Sequence, residues 1–180
     1  MTKQELRKEK IVNRRKIFDR EEKNKRILKN VTECDIYKCA QTIMVYISYN
    51  GEVDTKALIE KAISDGKKLC APVCIDKETM VAKSFNSYDE LVLGAYGIKE
   101  PQGAEVCDID LILVPGVAFS KNLYRIGYGA GYYDRFLEKN SAITCGLFYE
   151  EQKADFLEDS HDKQLDFVIT EEKIYKKGDI

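Results

Sequence analysis

The sequence predicts an α/β fold: a three-layer α/β/α domain with a mostly parallel, Rossmann-like central sheet and additional N-terminal helices. Three observations carry this reading. Short apolar, β-branched runs alternate with segments of helical periodicity. The first two runs flank a helix, which implies a right-handed crossover between parallel strands. No repeat, low-complexity tract or linker divides the chain, so its 180 residues are expected to form one domain over 1–180.

Thr2-Lys3-Gln4-Glu5 has the spacing of a capping box, so a helix is expected to start at once. From Lys3 to about Asn30 the chain is helix-forming and free of Gly and Pro, with sparse apolar residues such as Leu6, Ile11, Ile17 and Ile27. Such a helix packs a narrow stripe and leaves many Lys and Arg side chains free to face a ligand. Thr42–Ile47 reads as a buried strand, followed by a turn over Ser48–Gly51. Asp54 or Thr55 then caps a helix whose inner face is Leu58, Ile59, Ala62 and Ile63 and which ends at Gly66. Leu69–Ile75 is the next strand and Met80–Phe85 a weaker one. Leu111–Val114 is a strand stopped by Pro115-Gly116, and a helix is expected over Tyr132–Lys139. Ile143–Phe148 and Phe167–Thr170 complete the set.

The composition, 44% apolar and 33% charged, is that of a soluble globular protein. Charge is unevenly placed. The first 30 residues hold 12 of the 29 Lys and Arg but only 5 of the 31 Asp and Glu. A basic segment on an acidic body can bind nucleic acid, coat a membrane or supply cations to a phosphate site. No apolar run approaches the roughly 20 residues that span a bilayer, and the opening residues lack a signal-peptide core. The expectation is a cytoplasmic protein with no membrane partner. Cys34, Cys39, Cys70, Cys74, Cys107 and Cys145 form no Cys-x-x-Cys pair and are expected to be reduced, small hydrophobic fillers. With His161 the only histidine, a His-rich zinc site is excluded, and no Gly-x-Ser-x-Gly elbow is present.

The most informative stretch is Leu111–Leu137, LILVPGVAFSKNLYRIGYGAGYYDRFL. A buried strand leads into a turn, and Gly127-Tyr128-Gly129-Ala130-Gly131 then precedes a helix. Alternating glycines let backbone N–H groups approach a ligand closely, and a helix start suits phosphate. Arg125 can offer a forked guanidinium to phosphate oxygens. Asp134, in the first helical turn, is placed for a carboxylate that holds Mg²⁺. The spacing fits neither the P-loop nor the dinucleotide fingerprint.

This segment resembles the signature of the 5-formyltetrahydrofolate cyclo-ligase family, which reads roughly VPGLAFD..G.RLGYGGGYYDR. Further blocks match in order: Lys3 and Arg7; Tyr46-Ile47-Ser48 with Gly51-Glu52-Val53-Asp54-Thr55; Gly66-Lys67-Lys68; Ala71-Pro72-Val73; Gly97-Ile98-Lys99-Glu100-Pro101; and His161-Asp162, Asp166 and Thr170. The resemblance implies an enzyme that uses ATP and Mg²⁺ to close 5-formyltetrahydrofolate to 5,10-methenyltetrahydrofolate, as a monomer or weak homodimer with no nucleic-acid partner.

Carried over residue by residue, it implies an ATP site made of Lys3, Gln4, Glu5, Leu6 and Arg7 together with Arg125, Ile126, the loop Gly127–Gly131, Tyr132 and Tyr133. Ile47, Glu52, Tyr128, Gly129, Ala130, Gly131 and Tyr132 would contact the folate. Arg125 and Tyr132 are the implied catalytic residues, and Asp134 and Asp166 the implied Mg²⁺ ligands. His161 is a candidate for orienting a carboxylate or the nucleotide. Two departures stand in the turn before the glycine loop, where Ser120 replaces the family's Asp and Leu123 its Gly. Two other readings remain at this point: a sugar-phosphate isomerase or CoA-transferase of related architecture, and a nucleic-acid-binding protein using the basic first 30 residues.

Overall fold

A computed structural model describes residues 2–94 and 96–179. The capping box forms: the Thr2 hydroxyl accepts from Glu5 N–H at 3.2 Å, and the Glu5 carboxylate accepts from Thr2 N–H at 2.8 Å. The helix it starts, α1 (Lys3–Arg14), stops short of the expected Asn30, and a second helix, α2 (Arg20–Glu33), follows. Between them Asp19 takes φ 53°. No Gly or Pro signals this break; packing imposes it. α1 lays Leu6 on Val117, Ala118 and Ile126, whereas α2 lays Ile27 and Val31 on the central sheet. A straight helix cannot serve both surfaces.

A short helix, α3 (Asp35–Cys39), leads into β1 (Thr42–Met44), then α4 (Lys56–Ser64), β2 (Lys68–Cys74) and β3 (Met80–Phe85). A small hairpin, β4 (Val92–Leu93) and β5 (Lys99–Glu100), precedes β6 (Leu111–Val114). A second hairpin, β7 (Ala118–Phe119) and β8 (Arg125–Ile126), leads through the glycine loop to α5 (Tyr132–Glu138). The chain closes with β9 (Ile143–Leu147), β10 (Phe167–Ile169) and β11 (Ile174–Lys176).

Seven strands form one sheet in the order β11-β10-β9-β6-β1-β2-β3. The inner five pair in parallel, and β3 and β11 close the edges antiparallel. Alternation along the strands sorts the core into two faces. Ile43, Leu69, Leu111 and Leu113 meet α2, α3 and α4, while Met44, Cys70, Ile112 and Val114 meet α5. Each such side chain, at most 4% exposed, stabilises the fold by about 1.5–3 kcal/mol through removal of apolar surface from water. The three-layer expectation holds, with one layer thinned to a single helix of seven residues.

The β1 run leaves its ladder three residues early. Val45 N–H still donates to Cys70 O at 2.9 Å, and Tyr46 and Ile47 then turn off the sheet, still buried. Of the cysteines, Cys70 and Cys145 are buried fillers; Cys34 and Cys74 are half-buried, and Cys39 and Cys107 are exposed, contrary to expectation. No helix among the described residues is long and apolar enough to cross a membrane.

Strand order reverses between β1 and β6: after β1 the chain moves toward β2, and after β6 toward β9. Loops leaving the carboxyl ends of these two neighbours diverge and open a crevice, the usual ligand site of such sheets.

Candidate active site

The crevice is a cleft of about 650 Å³. Its floor comes from the segments that leave β1 and β6, with Tyr46 and Ile47 on one side and Pro115 on the other. The glycine loop crosses its middle. Gly129 sits at φ 103°, a backbone conformation that side chains disfavour, and a Cβ there would lie 3.5 Å from the Arg7 guanidinium. Space beside Arg7 would admit a Cβ; the backbone angle is what reserves the position for glycine.

At one end of the cleft stand cations. Arg7 donates from Nε to Gly127 O at 2.7 Å, tying α1 to the loop. Arg125, 6% exposed, reaches Asp134 Oδ1 at 3.1 Å and stacks over the Tyr133 ring at 5.5 Å. Lys3 pairs with Asp159 at 2.6 Å and with Asp162. Burial works to lower the Lys3 pKa, but its hydrogen bonds to Asp159 and Asp162 prevail and hold it above the ordinary lysine value. Two buried polar atoms of residues lining this end, Arg125 Nε and Tyr133 Oη, have no partner among the described residues.

At the other end Glu52 is 7% exposed. It accepts from Tyr49 N–H at 2.9 Å and from the Tyr128 hydroxyl at 3.0 Å. Burial raises its pKa; the Tyr49 bond, the Arg14 charge and the Tyr128 bond oppose that rise without cancelling it. Thr55 holds the preceding turn, donating from Oγ1 to Tyr46 O at 2.7 Å and accepting from Ser48 N–H at 3.2 Å.

Most of the residues singled out in the sequence meet here: Lys3, Arg7, Ile47, Glu52, Arg125, Ile126, the loop Gly127–Gly131, Tyr132, Tyr133 and Asp134 all line the cleft. The Tyr132 hydroxyl is held by Asp76 O at 2.7 Å and the Tyr96 hydroxyl at 3.0 Å, which fixes its ring at the rim. His161 lines the cleft as well, exposed, between Asp159 and Asp162.

Four of the expected site residues do not line the cleft. Gln4, Glu5 and Leu6 are not in the cleft: one turn of helix turns Lys3 and Arg7 to the same side and the three residues between them elsewhere. Glu5 is spent on the helix cap, Leu6 on the core, and Gln4 is exposed. Asp166 precedes β10, at the amino end of a sheet whose cleft lies at the carboxyl end. Its carboxylate accepts from Thr144 N–H and Thr144 Oγ1, both at 2.9 Å, tying β10 to β9. The C-terminal carboxylates that do line the cleft with Asp134 are Asp159 and Asp162, seven and four residues earlier. The sequence held that signal in the His161-Asp162 pair. It held none for Arg14, which no motif marked.

The two departures from the family pattern fall in the β7–β8 turn. Ser120 Oγ accepts from Tyr124 N–H at 3.3 Å, filling the polar role of an aspartate there. Leu123 adopts φ 62°, a position suited to glycine, and is fully buried in the core. The turn keeps its shape, with Leu123 N–H donating to Ser120 O at 3.0 Å.

The basic first 30 residues are largely committed within the molecule. Lys10 donates to Glu151 O and Lys153 O at 2.8 and 2.9 Å, Arg15 to Asn50 Oδ1 at 2.6 Å, and Lys23 pairs with Glu171 at 3.0 Å. These contacts tie the basic segment to the body of the molecule.

Comparison with known proteins agrees with the geometry. The model of the 5-formyltetrahydrofolate cyclo-ligase family matches residues 1–171. A probable 5-formyltetrahydrofolate cyclo-ligase of Schizosaccharomyces pombe is 31% identical over 172 residues, covering 83% of this chain and 84% of the relative. The NMR structure of the Aquifex aeolicus 5,10-methenyltetrahydrofolate synthetase superposes with a TM-score of 0.89 at 31% identity, over 100% of this chain and 95% of that one. The 5,10-methenyltetrahydrofolate synthetase of Mycoplasma pneumoniae gives a TM-score of 0.78 at 27% identity, over 95% of this chain and 99% of that one.

Proposed function

Because the chain belongs to the 5-formyltetrahydrofolate cyclo-ligase family, we propose that it closes 5-formyltetrahydrofolate to 5,10-methenyltetrahydrofolate at the expense of ATP. The observation that carries this reading is one cleft with cations at one end, a buried carboxylate at the other and the glycine loop between them. Neither the isomerase or transferase reading nor the nucleic-acid reading accounts for that arrangement.

The chemical difficulty is the formyl oxygen, which leaves poorly as oxide or hydroxide. Transfer of the terminal phosphoryl group breaks its bond to ADP and forms one to that oxygen. N10 then bonds to the formyl carbon, the carbon–oxygen bond breaks, and phosphate departs with the oxygen and takes up the proton lost from N10. This chemistry asks the protein for positioning and charge neutralisation rather than a nucleophile. Lys3, Arg7 and Arg125 serve the phosphates, and the loop backbone holds the phosphoryl group beside the folate. Tyr132 and Tyr128 bound the space where the two substrates meet. Glu52 accepts two N–H bonds from the pterin, a geometry suited to a carboxylate.

Asp134 and Asp162 are hard oxygen donors that both line the cleft, each now paired with a cation that Mg·ATP would relieve. They fit a magnesium ion held jointly with phosphates. Magnesium, when bound, supplies further neutralisation of phosphate charge.

The test is optical. The methenyl product has an extended conjugated system and a new near-ultraviolet band. Purified protein with 5-formyltetrahydrofolate should generate the band with Mg·ATP and not without nucleotide. No band and no ATP consumption from folded protein would defeat the proposal.

A further inference from the structure

Arg14 ends α1 at 1% exposure. A buried guanidinium is costly unless its charge and donors are matched, yet among the described residues no carboxylate lies within ion-pairing distance of it. Its partners are oxygens of three separate segments. Nη1 donates to Gly116 O at 3.0 Å, after β6. Nη2 donates to Asn50 O at 2.7 Å, in the turn after β1, and to the Tyr128 hydroxyl at 2.5 Å, in the glycine loop. That hydroxyl in turn donates a hydrogen bond to Glu52 Oε1 at 3.0 Å. The countercharge of Arg14 is therefore Glu52, one phenol away.

We propose that Arg14 is a positioning residue for the folate substrate, holding Tyr128 and, through it, the ionised Glu52 carboxylate in the geometry that receives the pterin. The proposal rests on the functional reading above and deepens it. Arg14 touches neither substrate. It lies eleven residues from Lys3, about 16 Å along the helix, so one helix serves phosphate with its first turn and folate with its last.

The groups around Glu52 determine how this is read out. Arg20 of α2 reaches only its backbone oxygen, at 3.2 Å. The Tyr46 hydroxyl donates to Val53 O at 3.0 Å, and Tyr133 of α5 faces it as a neutral phenol whose ionisation burial disfavours. Arg14 is then the cation that acts on the Glu52 carboxylate. Without it, nothing but two hydrogen bonds opposes burial, and Glu52 takes up a proton at higher pH. Since the ionised form accepts the pterin N–H groups, folate binding falls away as pH drops through that pKa, and loss of Arg14 moves this acid limb upward.

The experiment is equilibrium binding of 5-formyltetrahydrofolate, without ATP, across pH, in wild type, Arg14→Met and Arg14→Lys, with KM for ATP measured in parallel. Arg14→Met should weaken folate binding roughly tenfold at neutral pH and shift the acid limb up by about one pH unit, with KM for ATP changed less than about twofold. Arg14→Lys, which keeps the charge, should return the limb to its wild-type position. A merely structural role would lower thermal stability and leave the limb unmoved, and a folded Arg14→Met with an unmoved limb overturns the proposal. If Arg14→Met does not fold, Tyr128→Phe removes the connecting hydroxyl and should shift the limb in the same direction; no shift there overturns it equally. Wild-type protein that binds no 5-formyltetrahydrofolate overturns the functional reading and this proposal with it.

Discussion

The two ends of the cleft are built on different principles. At the phosphate end, Lys3 and Arg125 each hold a carboxylate that faces the ligand space, and Asp159 is itself exposed. The Lys3–Asp159 pair is partly exposed, screened and worth little on its own, so it exchanges readily for phosphate and metal, whereas Arg125 is buried in the wall. At the folate end, Glu52, Arg14 and Thr55 are buried and bonded to named partners before any ligand arrives. One end is a set of replaceable contacts; the other is preorganised. On the proposed function, a site that releases ADP and phosphate each turnover gains from exchangeable contacts, while discrimination of a pterin gains from a rigid acceptor.

The largest effect should come at the phosphate end. Arg125→Ala or Asp134→Asn is expected to lower kcat by about 100-fold or more while the protein stays folded, because both lie where phosphoryl charge develops. Wild-type turnover in either purified variant would break the picture at its centre. Next comes Glu52→Gln, which keeps the shape but removes the charge. KM for folate should rise about 30-fold with KM for ATP little changed, and the acid limb of folate binding should vanish. Equal changes in both KM values would mean that the ends are not separate.

Lys3→Met is a smaller test of the other end. KM for ATP should rise about fivefold, an effect that added salt erodes through screening, with folate binding unmoved. A salt-independent loss would place Lys3 among the preorganised contacts instead. The smallest effect concerns the turn that presents Arg125. Leu123→Gly relieves a left-handed backbone costing about 1–2 kcal/mol but removes a fully buried side chain worth about 2–5 kcal/mol. The net should be a Tm lower by a few degrees with unchanged kinetics; a higher Tm would show that backbone strain outweighs burial there.

The same contrast explains what could be read from the sequence. Local rules were legible: the Thr2–Glu5 cap, the β-branched runs of β1, β2 and β6, and the glycine loop each carry their signal within a few residues. Features set by distant partners were not. The break at Asp19 comes from two packing surfaces that no local residue announces. β4–β5, β7–β8 and β11 are strands of two or three residues, too short for alternation to register. Asp162 and Asp166 are equivalent along the chain, and only the direction of β10 decides which of them meets the cleft. Arg14 sits in a run of basic residues and becomes distinctive only when Gly116, Asn50 and Tyr128 converge on it.

α1 finds its tertiary partners late in the chain: Gly116, Gly127, Tyr128, Glu151 and Asp162 all lie more than 100 residues beyond it, with Asn50 the nearest exception. A twelve-residue helix is marginal by itself in water, so during synthesis it emerges before these partners and waits undocked until they have left the ribosome. The cation-bearing end of the cleft is thereby assembled late, and on the proposed function a nascent product truncated before those partners lacks its nucleotide site.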